Sequence, residues 1–312
     1  MKILKFFVSI VIVTALLSCQ GIDNQKDYSN DGLPISKSGE GYSLGLYNGE
    51  IIESKRTFSL TGNSFSKNIV FGNITSSKNS FVLLVFDHYE QIQFEVQNQK
   101  YTKYSFTLEP NSYINNPVTL LELENNFHSI NYLITIEQHN NMKTANPDDK
   151  VLLQELSRIF YIRVNLFNQF DLTKESIRIP NDLSEINSKK IHGVFTNEIG
   201  KDYHIFTNKR LEEDEFNLKV IYGNQEKEAF DFYVVALLDW NQIPVTPGLD
   251  YVYDYLNPNT EKSFISTVEV NSSGEHILQY LMLPTPFQEL PDNNPYPINN
   301  VYSSFRLLID KQ

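Results

Sequence analysis

One set of sequence blocks occurs twice in this chain, which restricts the fold to something made from two copies of a unit. Val70-Phe71-Gly72-Asn73 recurs as Ile221-Tyr222-Gly223-Asn224. Phe81-Val82-Leu83-Leu84-Val85-Phe86-Asp87 is answered by Tyr233-Val234-Val235-Ala236-Leu237-Leu238-Asp239, and Gln-Ile follows each Asp, at Gln91-Ile92 and Gln242-Ile243. His128-Ser129-Ile130-Asn131-Tyr132-Leu133 matches His276-Ile277-Leu278-Gln279-Tyr280-Leu281 without a gap. Phe160-Tyr161-Ile162-Arg163 resembles Ser303-Ser304-Phe305-Arg306. The blocks keep their order and similar spacing, while the segments between them differ in length.

Most blocks read as strands. They are short runs of Val, Ile, Phe, Tyr and Thr, bounded by Gly, Asn, Asp and Pro. Thr57 to Leu60 and Tyr104 to Leu108 alternate apolar and polar residues, as expected where one face is buried and the other is wet. Phe81 to Phe86 and Phe230 to Leu238 are apolar throughout, which predicts central strands covered on both faces. Helix signals are few: one short helix is expected within Asp148 to Ile159, and a helical turn at Asp182 to Asn187. Regular crossover helices, which a parallel sheet requires, are absent.

The expected fold is all-β, two tandem immunoglobulin-like β-sandwiches, "like" because the Cys-Trp-Cys core of true immunoglobulin domains is missing. The boundaries are residues 42–168 for the first repeat, 169–189 for a linker and 190–312 for the second. Residues 19–41 are polar and Gly/Ser/Asn-rich and read as a flexible tether.

The N-terminus carries an address. Lys2 and Lys5 precede an apolar run from Phe6 to Leu17, too short to span a ~30 Å hydrocarbon core comfortably but suited to an export signal over residues 1–18. It ends Leu16-Leu17-Ser18-Cys19, which resembles the lipobox of bacterial lipoproteins. That resemblance implies cleavage before Cys19, a diacylglycerol on its sulfur, and a membrane-anchored protein facing away from the cytoplasm, at the cell surface or in a periplasm. Cys19 is the only cysteine, so no disulfide is expected. The formal charge of −12 becomes −14 once Lys2 and Lys5 are removed. Such a chain is poorly suited to nucleic acid or anionic headgroups, so attachment falls to the lipid, whose two acyl chains suffice for stable anchoring.

Each candidate site also has a plain structural reading. Asp87 and Asp239 read as turn residues bonding their own backbone, and Gly72-Asn73 and Gly223-Asn224 as turns. His128 and His276 share one repeat position; a structural hydrogen bond fits them better than catalysis or metal binding, since no HExxH-type spacing occurs. Arg163 and Arg306 read as solvated strand residues or packed stems. Trp240, the only tryptophan, is a candidate sugar-stacking or anchor residue, with core packing as the alternative. Tyr251, Tyr253 and Tyr255 alternate and would share one strand face, either a ligand platform or a core face. The proline-rich segment 284–300, with Phe287 and Tyr296, is a candidate binding loop. Asp148, Asp149 and Asp292 lack the ligand count of a calcium loop. No GxSxG elbow, SxxK or phosphate loop appears, and no cofactor or metal is expected, though a pair of glycosidase carboxylates needs no motif.

These readings converge on a lipid-anchored, non-enzymatic extracytoplasmic protein that binds an envelope protein or polysaccharide. The alternatives are an accessory subunit of a membrane transporter or peptidase, and an envelope polysaccharide hydrolase. A transport solute-binding lipoprotein is disfavoured, because those use two helix-rich α/β lobes.

Overall fold

The computed structural model describes residues 26–27, 41–124, 126–137, 142, 154–167 and 174–312. Cys19, the signal segment and most of the expected tether lie outside the described residues. Gln154 to Leu156 are helical within the segment where a helix was expected, and Ile159 already belongs to a strand.

The first repeat contains β1 (Lys26–Asp27), β2 (Tyr42–Asn48), β3 (Ile51–Ile52), β4 (Thr57–Ser59), β5 (Phe65–Asn73), β6 (Asn79–Asp87), β7 (Glu90–Gln91), β8 (Phe94–Val96), β9 (Gln99–Tyr101), β10 (Lys103–Leu108), β11 (Ser112–Leu120), β12 (His128–Ile136) and β13 (Ile159–Phe167). The second contains β14 (Ser184–Asn187), β15 (Gly193–Asn197), β16 (Asn208–Leu211), β17 (Glu215–Asn224), β18 (Phe230–Leu238), β19 (Asn241–Ile243), β20 (Val252–Leu256), β21 (Thr260–Glu269), β22 (Gly274–Pro284), β23 (Tyr302–Ser303) and β24 (Leu307–Lys311).

Each repeat is a two-sheet sandwich. The first stacks β3-β2-β5-β11-β8-β9 on β10-β6-β12-β13-β4; the second stacks β14-β21-β17-β15 on β16-β24-β22-β18 with β19 and β20 beside β18. The strand pairings recur. β2–β5–β11 matches β15–β17–β21, and β10–β6–β12–β13 matches β20–β18–β22–β24. In both repeats a short strand pairs parallel with the last one, β4 with β13 and β16 with β24, and the other pairings among the described residues are antiparallel. The duplicated sequence thus folds as two tandem immunoglobulin-like sandwiches.

The period-2 geometry of strands explains the continuously apolar runs. Phe81, Leu83 and Val85 point into the first sandwich, while Val82, Leu84 and Phe86 point out of it. Phe232, Val234 and Ala236 fill the second sandwich, while Tyr233, Val235 and Leu237 point out. The outward sets meet. Together with Leu133, Trp240, Ile277, Leu281 and Leu308 they form a third core between the two repeats. The second covered face of each central strand is therefore covered by the other sandwich.

Two local expectations are corrected. Ser184–Asn187 is not helical but an edge strand pairing with Ser263 to Thr260 of β21. The open N–H and C=O row of a sheet edge outcompetes the weak helix propensity of a four-residue segment. The presumed linker therefore contributes to the second sandwich, as β1 does at the matching place on β11. Gly72-Asn73 and Gly223-Asn224 end strands rather than forming turns. The turn begins at the Asn side chain: Asn73 Oδ1 accepts from Thr75 N (3.1 Å) and Asn224 Oδ1 from Glu226 N (2.7 Å), each an Asx-turn.

Candidate functional site

At the turn after each central strand, the two repeats present the same pair of side chains. His128 Nδ1 lies 2.6 Å from Asp87 Oδ2, and His276 Nδ1 lies 2.7 Å from Asp239 Oδ2. The other ring nitrogen donates to a carbonyl four residues upstream, Glu124 O or Ser272 O, at 2.9 Å in each case. A ring with an acceptor on each nitrogen is satisfied only when doubly protonated. Burial opposes that charge and is the largest single influence, but the hydrogen bond and charge of the aspartate together with the carbonyl acceptor outweigh it, so both histidines titrate above the usual range. The expected structural hydrogen bond of the histidines is present. The partner of each aspartate is this histidine, and Asp239 also accepts from Ile277 N at 2.8 Å.

The hairpins at these turns differ by one residue. Asp87 pairs with Glu90 across His88-Tyr89, whereas Leu238 pairs with Asn241 across Asp239-Trp240. His88 has φ 53°, and Asp239 and Trp240 have φ 51° and 66°. Positive φ at both central residues, as at Asp239-Trp240, is the type I′ geometry that matches strand twist; in the first hairpin His88 alone has it. The shift aligns two glutamines. Gln91 N donates to Gln242 Oε1 and Gln242 N to Gln91 Oε1, both at 2.7 Å. Gln91 Nε2 reaches Trp240 O (2.9 Å) and Gln242 Nε2 reaches Tyr89 O (3.0 Å). Contacts repeated with exchanged roles mark a pseudo-twofold axis.

The two repeat arginines are corrected: both guanidinium groups are buried at the junction, 3% and 2% exposed. Arg163 donates to the carbonyls of Thr285 (2.5 Å), Pro286 (2.9 Å) and Gln288 (2.9 Å) in the second repeat. Arg306 donates to Thr135 Oγ1 of the first at 2.5 Å and lies 5.2 Å from the Trp240 ring centroid. Burial pushes Arg163 down to about 9 and Arg306 to about 10, still above neutrality. The proline-rich segment is thereby a strap across the first sandwich. Thr57 donates to Leu290 O (2.5 Å), and Lys55 pairs with Asp292 (3.1 Å).

Beside this strap lies a cleft of about 1100 Å³. The first repeat contributes the 87–94 turn and strands, the 121–128 connection and the β8–β9 hairpin; the second contributes Tyr233 and Phe287, and the connecting segment contributes Glu175. Rings follow one another along it: Phe127 to His88 at 5.7 Å, His88 to Phe287 at 5.3 Å and Phe287 to Tyr233 at 6.4 Å. Carboxylates of Asp87, Glu90, Glu124 and Glu175 also line it, and its lysine, Lys100, lies 3.5 Å from Glu122. Glu175 accepts from Tyr233 OH (2.9 Å) and Tyr251 OH (3.0 Å). Among the described residues no group of three His, Cys, Asp or Glu is placed to hold a metal ion.

The residues singled out from the sequence are scattered. Trp240, Tyr251 and Tyr253 are 4%, 5% and 2% exposed and belong to the core between the repeats, so these aromatic faces are spent on packing. Tyr251 stacks on Tyr89 with centroids 3.5 Å apart and lies under Arg178, and Tyr253 donates to Asp231 at 2.9 Å. Tyr255 is exposed and does not share their environment. Tyr296 is exposed on the strap, 5.8 Å from the Arg56 guanidinium. Of the six, Phe287 lines the cleft. His88, Phe127 and Glu175 were not singled out. Glu175 lies in the supposed linker, and nothing in its neighbours marks it.

No family model matches this chain, and no curated protein does. Solved structures give distant likenesses. A red sea bream transglutaminase is 9% identical with TM-score 0.24, over 88% of this chain and 32% of its own, so this chain spans about a third of that enzyme. The CARDB domain of a Pyrococcus furiosus protein, solved with di-metal ions, is 11% identical with TM-score 0.25, over 46% of this chain and 99% of its own. A PapD-like domain of human CEP192 is 7% identical with TM-score 0.22, over 39% and 81%.

Proposed function

We propose that this is a lipid-anchored binding protein of a bacterial envelope, attached through Cys19 and facing away from the cytoplasm, and that its ligand enters the cleft at the junction of the repeats. The observation that carries this reading is the cleft itself: a large concavity with walls from both repeats, held by a shared core and a strap. Binding sites favour such concave junctions with a few polar groups among aromatic ones. Tyr42, where the first sandwich begins, pairs with Asn73 at one end of β5, while the cleft lies at the end where Phe65 pairs with Leu120. Nine strand residues separate those ends, roughly 30 Å, so the cleft lies at the end of the first sandwich opposite Tyr42.

Two experiments test the reading. Cys19→Ala should block processing at the lipobox and move the protein from the membrane to the soluble fraction; unchanged fractionation sinks the anchor. A photo-crosslinking residue at position 287 should capture a ligand in cells that one at Tyr255, outside the cleft, does not; equal capture at both sinks the cleft as the site. A second reading, an envelope polysaccharide hydrolase, draws support from the carboxylates lining the cleft. It requires turnover of an envelope polysaccharide, lost on Glu175→Gln or Asp87→Asn.

A further inference from the structure

We infer that the ligand of this cleft is a neutral glycan chain, an inference that rests on the cleft being the binding site. Its volume, about 1100 Å³ and open to solvent, lies at the top of the ~300–1,000 Å³ range of small-molecule pockets and leaves room for a segment of a polymer. The wall is a run of rings, of which His88, Tyr89 and Phe287 keep part of their surface open. The rim carries exposed acceptors, Glu90, Glu124 and Glu175, and amides, Gln93 and Asn126, that both donate and accept. A pyranose has the complementary surface: an apolar C–H face for the rings, and an edge of hydroxyls that donate to carboxylates without bringing charge. The anionic rim repels uronate or phosphate polymers.

The wall is also set before any ligand arrives. Arg163 bonds the backbone carbonyls on both sides of Phe287, those of Pro286 and Gln288, so this ring is fixed by a side chain of the other repeat. Ordering costs at binding are correspondingly reduced. The pseudo-symmetric position shows the contrast. Trp240, the residue after Asp239, is 4% exposed beneath Arg306, whereas His88, the residue after Asp87, keeps surface in the cleft.

The test is calorimetric titration of the full-length protein in detergent with cellohexaose, chitohexaose, xylohexaose and mannohexaose, alongside polygalacturonate and hexalysine. At least one neutral hexasaccharide should bind, polygalacturonate should not, and Phe287→Leu, which keeps an apolar filler but removes the ring, should weaken binding about tenfold with an unchanged melting temperature. Phe287→Ala should weaken it further. Absence of binding by all four hexasaccharides overturns the inference, as does binding indifferent to both substitutions. Hexalysine binding alone, with the same dependence on Phe287, rejects the glycan while leaving the cleft as the site. No binding there, together with equal crosslinking at positions 287 and 255, rejects both.

Discussion

Arg163 and Arg306 occupy one repeat position, yet their side chains are satisfied differently, and their substitutions should differ accordingly. Removing Arg163 breaks three bonds from a charged donor to the strap and leaves the Pro286 carbonyl without its donor, while Thr285 O keeps Gln288 N and Gln288 O keeps Asn165 Nδ2. Bonds to a charged group contribute roughly 1.5–3 kcal/mol each, so Arg163→Met should destabilise by about 3 kcal/mol or more, read from urea midpoints. Arg306→Met removes the bond to Thr135 Oγ1 and the stack on Trp240 and should cost about 1–2 kcal/mol. Equal losses would refute the strap. The histidine–aspartate pairs add a pH dependence. Folding raises the pKa of His128 and His276, so their contribution is full below the unfolded value of about 6.5 and is lost as pH rises through the folded one. The urea midpoint should therefore fall as pH rises above about 6.5, and the fall should shrink in a His128→Gln/His276→Gln double variant. A flat profile in the parent chain would exclude charged imidazoles. The pairing of each histidine with an aspartate was within reach of the sequence, since both recur together. The burial of the arginines was not, because no local pattern says that a second sandwich will cover the strand face.

At the scale of elements, the end of the connection that enters the second sandwich is held by the Glu261 carboxylate. Glu261, 1% exposed on β21, accepts from Ser188 Oγ (2.5 Å), Lys190 N (2.6 Å), Ile191 N (2.9 Å) and Tyr203 OH (2.7 Å). Burial disfavours the anion, but these donors outweigh it and hold the carboxyl below its ordinary range. The stability it confers is present above the unfolded pKa of about 4.3 and is lost as pH falls through the folded one. Glu261→Gln should accordingly destabilise the protein at pH 6 and flatten its acid unfolding below about pH 4.3; an unchanged acid limb would remove Glu261 from this role. Gly223 lies beside this clamp because a Cβ there would sit 2.4 Å from Ile191 O. Gly223→Ala should destabilise by about 2 kcal/mol or more, whereas Gly248→Ala, strained at φ 81° but meeting nothing within 4 Å, should cost about 1 kcal/mol. Calorimetry on the two variants distinguishes steric from conformational cost. The strands of this region were legible from alternation and composition. β14 was not, because an edge strand is specified by the partner it joins.

For the whole molecule, the core between the repeats makes the two sandwiches one structural body, and they should unfold together. The single tryptophan sits in that core, so its fluorescence reports the junction while far-UV circular dichroism reports both sandwiches. The two urea transitions should coincide; fluorescence changing first would mean that the repeats part before they unfold. Duplication and strand identity were decided by the sequence, because each rests on short-range pattern: repeated blocks, period-2 alternation, turn residues at strand ends. The doubly covered central strands were also written there, since an alternating strand exposed on one side could not be apolar on both. What covers the second face, and with it the fate of Trp240, Tyr251 and Tyr253, was decided by tertiary structure. A buried aromatic ring and a ligand-stacking ring are the same residue until its neighbours are known. The cleft is likewise a product of assembly, for His88, Phe287 and Glu175 are far apart in the chain and meet only because the two apolar faces exclude water by closing on each other.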